Sequence, residues 1–185
     1  MQLRSGDVLI RQLRDSDSTA LFEAVNSVLP GLEPWLPWSK PQYDLADAAA
    51  WIALCRAWWR AGTAYSFGVF AAESGTLLGG VGLMHLDPSN RSAQLVFWMS
   101  GDARGQGVAV TAARLAAGFG FKELGLVRLA ILLPPEDRAS LRVAVKIGAV
   151  CEGIGRNAML VNGRPREAMV HSLIPGDLER AESED

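Results

Sequence analysis

The chain has 185 residues, 49% of them hydrophobic, with 18 Lys plus Arg against 20 Asp plus Glu. That length supports one full core, burying about 70% of the surface the unfolded chain exposes, so one domain over residues 1–185 is expected. The net charge of −2 gives no basic field for nucleic acid, no apolar run reaches membrane-spanning length, and Cys55 and Cys151 lack metal-ligand spacing; nucleic-acid, membrane and disulfide-framework classes are excluded, and a cytoplasmic protein with reduced cysteines is expected.

Residues 8–14 (VLIRQLR) predict a strand, and 15–28 (DSDSTALFEAVNSV) an amphipathic helix with Leu21, Phe22, Val25 and Val28 at helical spacing. Prolines and tryptophans in 29–41 (LPGLEPWLPWSKP) forbid regular structure and predict an ordered aromatic loop; a second helix follows over roughly 44–61. YSFGVFAAE, turned at Ser74 and Gly75 into TLLGGVGLMHL, and then SAQLVFWMS after DPSN (87–90), predict three antiparallel strands. DARGQGVAV (102–110) opens a helix of about 18 residues, and VRLAILL (127–133) is a strand covered on both faces. That order predicts a right-handed parallel crossover. A short helix over 137–148 stops at Gly148, a hairpin over 159–174 turns at Asn162 and Gly163, and 176–185 is expected to be an acidic, solvated tail.

Glycines at a helix start weaken the helix unless they serve a ligand. The first turn leaves backbone N–H groups without partners, the helix dipole favours an anion there, and small residues let a phosphate come close. Neither a P-loop nor a dinucleotide fingerprint is present; the pattern is Arg104-x-x-Gly107-x-Ala109.

In that pattern the sequence resembles the GNAT acyl-CoA-dependent N-acetyltransferases, whose pyrophosphate loop reads [QR]-x-x-G-x-[GA], and within them the branch that acetylates N-terminal amines of ribosomal proteins. Four segments carry the resemblance in order: LEPWLPW (32–38), NRSAQLVFWMSGDARGQGVA (90–109), FKELGLVRL (121–129) and EDRASLRVAVKIGAVCEG (136–153). It implies an α/β fold with a mixed, mostly antiparallel twisted sheet of about seven strands, one parallel crossover and about four helices. Strands 93–99 and 127–133 are implied to splay apart around the pantetheine arm of acetyl-CoA. The contacts so implied are Trp98 and Met99 on that arm, Gly105, Gln106, Gly107, Val108 and Ala109 around the pyrophosphate with Arg104 adding charge, and Asp137 and Ser140 beside the thioester.

Aminolysis of a thioester needs a neutral amine, a donor for the developing oxyanion and a proton for the leaving thiolate. Ser140 matches the family serine that protonates sulfur, and a backbone N–H of 96–99 is expected to face the oxyanion. Gln94 stands where the family often has Glu and cannot act as a general base, so base catalysis there is in doubt. Asp137, at the usual Asn site, is expected to cap its helix, and Ala149 replaces Phe. His85 is a candidate proton shuttle or a structural histidine; Trp35 and Trp38 either wall the acceptor pocket or staple their loop; His171 and the helix with Trp51, Trp58 and Trp59 are read as packing or a subunit contact, the latter compatible with a homodimer. The expected activity is transfer of acetyl from acetyl-CoA to a primary amine, such as a protein N-terminus, in a ternary complex without a metal. A small-molecule amine or antibiotic acetyltransferase and a silent CoA-binding regulator are the alternatives.

Overall fold

The computed structural model describes residues 1–29 and 42–183. One eight-stranded sheet runs β1 (Gln2–Ser5), β2 (Val8–Arg11), β3 (Tyr65–Ala71), β4 (Leu77–Asp87), β5 (Ser92–Met99), β6 (Arg128–Leu133), β8 (Arg164–Leu173), β7 (Val150–Val161). Only β5 and β6 are parallel; all other neighbours are antiparallel. The helices are α1 (Ser18–Asn26), α2 (Leu45–Ala61), α3 (Val108–Lys122), α4 (Arg138–Lys146) and α5 (Pro175–Ser183).

Three expectations need correction. The N-terminal strand is half of a hairpin: residues 2–5 pair with 8–11 around Gly6, which adds the eighth strand. The final hairpin starts earlier, at Val150. Residues 176–185 were expected to be a solvated tail, yet Pro175–Ser183 is a helix with Leu178 buried and the Asp177 carboxylate accepting from the Ile174 N–H. The buried Leu178, the cap, the Arg114 guanidinium donating to the Ala181 carbonyl at 3.3 Å and close packing of Gly148 against Asp177 and Ala181 dock this otherwise acidic segment.

The two faces of the sheet carry separate cores. On one, α3 lays Ala112, Ala113, Ala116 and Ala117, all fully buried, against a face built by β1, β2, β4 and β5. Side chains this small bring the helix axis close to the sheet. On the other, Leu21 and Val25 of α1 and Ala48 and Ile52 of α2 pack with Leu13, Phe70 and Leu77. Each of these two helices has a polar start. Asp44 and Asp47 form a reciprocal capping box on α2, both bonds 2.9 Å.

Asp17, at the start of α1, is 9% exposed and accepts from both Arg11 guanidinium nitrogens at 2.7 and 2.9 Å and from the Arg14 N–H at 2.7 Å. Burial works to raise its carboxyl pKa, but these donors outweigh it and hold the group below the usual aspartate range. A lowered folded-state value means that the carboxylate's contribution is complete above the unfolded value of about 4 and is lost as pH falls through the folded one. Asp17→Asn is expected to cost about 2–3 kcal/mol at pH 7. Urea unfolding at pH 7 and pH 3 checks this: the gap between variant and parent narrows at the lower pH.

Candidate active site

Strands β5 and β6 pair only at Ser92–Arg128, Ala93–Leu129 and Gln94–Ala130. Beyond these rungs β5 continues to Met99 and β6 to Leu133 without further pairing, so the strands diverge and leave a wedge. β4 meanwhile follows β5 up to Met99. Because each residue of a strand points its N–H and C=O to one side, the ladder decides which groups face the wedge. The Arg91 carbonyl accepts from the Val127 N–H and the Ser100 N–H donates to the Leu78 carbonyl. Odd-numbered positions of β5 therefore turn toward β6 and even-numbered ones toward β4.

That parity corrects one expectation. Met99 offers its backbone to the wedge, as do Leu95 and Phe97, but Trp98 is committed to β4: its carbonyl lies against Gly79. Its indole sits over Gly80, where an added Cβ would lie 2.6 Å from Nε1. Trp98 shapes the wall of the site through its side chain, and the N–H groups within 96–99 that can meet an oxyanion are those of Phe97 and Met99.

At the end of β5 the chain makes a 3-10 turn over Gly101–Ala103, extends through Arg104, and reaches α3 by way of Gly105 at φ 76° and Gly107 at φ 79°. Left-handed backbone at both positions favours glycine. The N–H groups of Gly105, Gln106, Gly107, Val108 and Ala109 donate to no protein acceptor among the described residues. The Gly107 carbonyl is turned away, accepting from Val110 and Thr111 at 3.0 and 3.1 Å. Gln106 Nε2 donates to the Asp102 carbonyl at 2.7 Å and pins the loop. Arg104 is exposed and makes no ion pair among the described residues. Five amides without a protein acceptor among the described residues, a helix N-terminus and an exposed guanidinium make a surface that suits an anion.

The helix after β6 begins at the same end of the sheet. Asp137 caps α4, its Oδ1 accepting from the Ser140 N–H at 3.0 Å, the role expected for it. The half-buried Ser140 hydroxyl makes no hydrogen bond among the described residues. Both crossover helices thus start where the parallel strands part, the position at which open α/β sheets bind ligands.

On the α1 and α2 face lies a cavity of about 780 Å³. Its lining comes from β4 (Gly80, Met84, His85), β5 (Gln94, Val96, Trp98), β6 (Leu132), β7 (Met159) and α2 (Trp51, Trp58). Phe97 and Leu132, one from each diverging strand, join this cavity to the wedge. A register break in β4 between Met84 and Asp87 places His85 at φ 50° and turns it to the cavity wall. Of the candidate acceptor residues, His85 and Gln94 meet here, beside Trp98; Trp35 and Trp38 lie outside the described residues. His171 is 3% exposed, faces Ile131 and Cys151 across its neighbours, and does not line the cavity.

Sequence reading missed Trp51 and Trp58 as site residues. They meet edge to face at 5.5 Å and wall the cavity, whereas Trp59 is structural, donating to the Ser66 carbonyl at 2.8 Å among Tyr65, Phe67 and Phe119. The spacing of seven was the available signal, since it puts two indoles on one helix face. Neither cysteine offers a nucleophile: burial pushes the Cys55 thiol up to about 11, and the exposed Cys151 stands on the outer strand β7 away from the cavity.

Comparison with known proteins agrees with this geometry. The family described as Acetyltransferase (GNAT) domain matches residues 7–150. A Bacillus subtilis (strain 168) chain assigned as a ribosomal N-acetyltransferase, YdaF, is 28% identical over 174 residues, covering 93% of each chain. The Spermidine N(1)-acetyltransferase of Escherichia coli (strain K12) is 30% identical over 95 residues, covering 51% of each. The structure of an assigned ribosomal-protein-serine acetyltransferase from Vibrio cholerae superposes with a TM-score of 0.85 at 28% identity, covering 95% of this chain and 98% of that one. With a sheet that parts beside an amide cradle and a family match across most of its length, the chain belongs to the GNAT acetyltransferases, enzymes that transfer acetyl from acetyl-CoA to an amine nitrogen.

Proposed function

We propose that the protein is a cytoplasmic N-acetyltransferase acting on a primary amine of the α-amino type, with acetyl-CoA and acceptor bound together and the amine attacking directly. The observation that carries this reading is the wedge beyond Gln94 and Ala130, open on one side to the Gly105–Ala109 amides and on the other to a cavity able to hold an acceptor. The ribosomal-protein relatives support an N-terminal amine as the acceptor.

In this reading the diphosphate of acetyl-CoA binds the Gly105–Ala109 N–H groups with Arg104 beside it, and the pantetheine arm adds to β5 through Leu95, Phe97 and Met99. The amine nitrogen approaches the thioester carbon from the Trp98 and His85 side. As the C–N bond forms, the Phe97 or Met99 N–H receives the growing negative charge on oxygen. The C–S bond then breaks, and Ser140 Oγ–H hands its proton to sulfur while taking one from solvent; the proton lost by the amine leaves by way of His85 or water, so the serine ends as it began. With Gln94 unable to accept a proton, the amine has to arrive neutral. An α-amino group, with a pKa of about 8, meets that demand near neutral pH.

A thiolate of pKa about 8.5 leaves without much help, so Ser140→Ala is expected to lower kcat by about tenfold at pH 7. The KM for acetyl-CoA should stay within about twofold, because the serine acts on the departing sulfur. Steady-state transfer from acetyl-CoA to a peptide α-amine measures both, and an unchanged kcat between pH 6 and pH 9 removes Ser140 as the acid.

A further inference from the structure

We infer that the acceptor is a weakly basic monoamine carried on an apolar or aromatic body, and that polycationic amines are poor acceptors. This rests on the acetyltransferase reading above and narrows its substrate class.

The inference comes from the charge and chemistry of the cavity wall. Trp51, Trp58, Met84, Val96, Trp98 and Leu132 form its apolar surface. Among the described residues that line it, none is Asp or Glu, and the only ionisable side chain is His85. A bound polyamine would therefore bury ammonium groups against described wall residues that supply no counter-charge. Aromatic faces attract a cation, worth roughly tenfold in affinity, but an ammonium taken from water without an anionic partner loses roughly a hundredfold or more. The desolvation term wins. The same wall favours an apolar side chain next to the reacting nitrogen, each buried methylene contributing several-fold.

Amine basicity acts in the same direction. No described residue of the lining is a carboxylate that could take a proton from a strongly basic ammonium, and Gln94 is an amide. At pH 7.5 an α-amine of pKa about 7.8 is about one-third neutral, whereas an alkyl amine of pKa about 10.4 is neutral in roughly one molecule in a thousand. That difference alone gives the weaker base roughly a 250-fold advantage.

The test is a competition among acceptors on the full chain. Kcat/KM is measured at pH 7.5 for phenylalanine amide, a tetrapeptide beginning with Phe, a tetrapeptide beginning with Asp, and spermidine. Phenylalanine amide and the Phe peptide are expected to exceed spermidine by about 100-fold or more, and the Asp peptide by less. Which of the first two is faster separates a small-molecule acceptor from a polypeptide terminus. Met84→Glu, which adds a carboxylate to the wall, is expected to shift the preference toward spermidine by about tenfold. Its folding is checked by the acetyl-CoA-induced rise in Tm. Spermidine acetylated faster than the apolar amines overturns this inference and leaves acetyl transfer standing; acetyl-CoA that neither binds nor donates to any of the four overturns the acetyltransferase reading itself.

Discussion

Replacing Gly107 with valine is expected to weaken acetyl-CoA binding by about 100-fold while leaving the fold in place. At φ 79° the glycine holds a left-handed conformation that a β-branched residue adopts only under strain. An added Cβ meets no atom within 4 Å, so the folded state loses the strain term alone, about 1–2 kcal/mol, or a few degrees in Tm. The ligand fares worse. Relaxing the φ of Gly107 swings the amides of Gln106 to Ala109 away from one common focus, and charge-assisted bonds of about 1.5–3 kcal/mol each are lost together. Calorimetric titration of acetyl-CoA into parent and variant decides the point, and affinities within threefold of each other count against the cradle.

The second large effect concerns the strand that sets the wall of the wedge. Gly79 has φ 156°, and a Cβ built there runs into the Trp98 carbonyl oxygen and lies 2.9 Å from the Met99 Cα. Both are backbone atoms of β5, held in the Gly79–Met99 and Gly80–Trp98 rungs. They cannot move aside without opening the ladder where β5 turns into the cradle loop. Gly79→Ala is expected to cost about 3–4 kcal/mol. The same substitution at Gly75, where φ is 72° and nothing lies within 4 Å, is expected to cost only about 1 kcal/mol. Urea unfolding of the two variants separates collision from backbone strain, and equal losses would falsify the role given to close approach at Gly79.

How far the residues alone disclosed this arrangement differs from element to element. The glycine turn that opens α3 was legible because helix formers seldom follow two glycines and an arginine unless the backbone there has a special shape. The β3–β4–β5 meander was legible from period-two patterning and turn chemistry. The hairpin strand at Gln2–Ser5 was not: its residues are exposed apart from the half-buried Leu3 and carry no apolar alternation. Nor was α5, whose docking rests on Leu178, a cap from Asp177 and long-range contacts with Arg114 and Gly148 that its own residues do not announce.

The wedge itself gave no local signal. VRLAILL reads as a strand covered on both faces, a pattern silent on how far its edges pair, and the divergence after Ala130 was implied only by resemblance. The parity that turns Trp98 to β4 and Met99 to the wedge is a property of ladder register, which one strand's sequence does not carry. The cavity wall was half legible. Trp51, Trp58 and Trp59 shared a helix in any reading, but only packing divides them into two that face the cavity and one that bonds Ser66. With Trp51 and Trp58 turned inward, the tryptophan-rich helix no longer argues for a subunit contact.

Amide hydrogen exchange with and without saturating acetyl-CoA tests the central claim most directly, because it reads the groups said to hold the diphosphate and the arm one by one. The expected result is slowing of at least about tenfold at Gly105 to Ala109 and at Phe97 and Met99, with little change at Trp98, whose N–H already faces β4. Unchanged exchange at Gly105 to Ala109 under saturating acetyl-CoA would contradict the account.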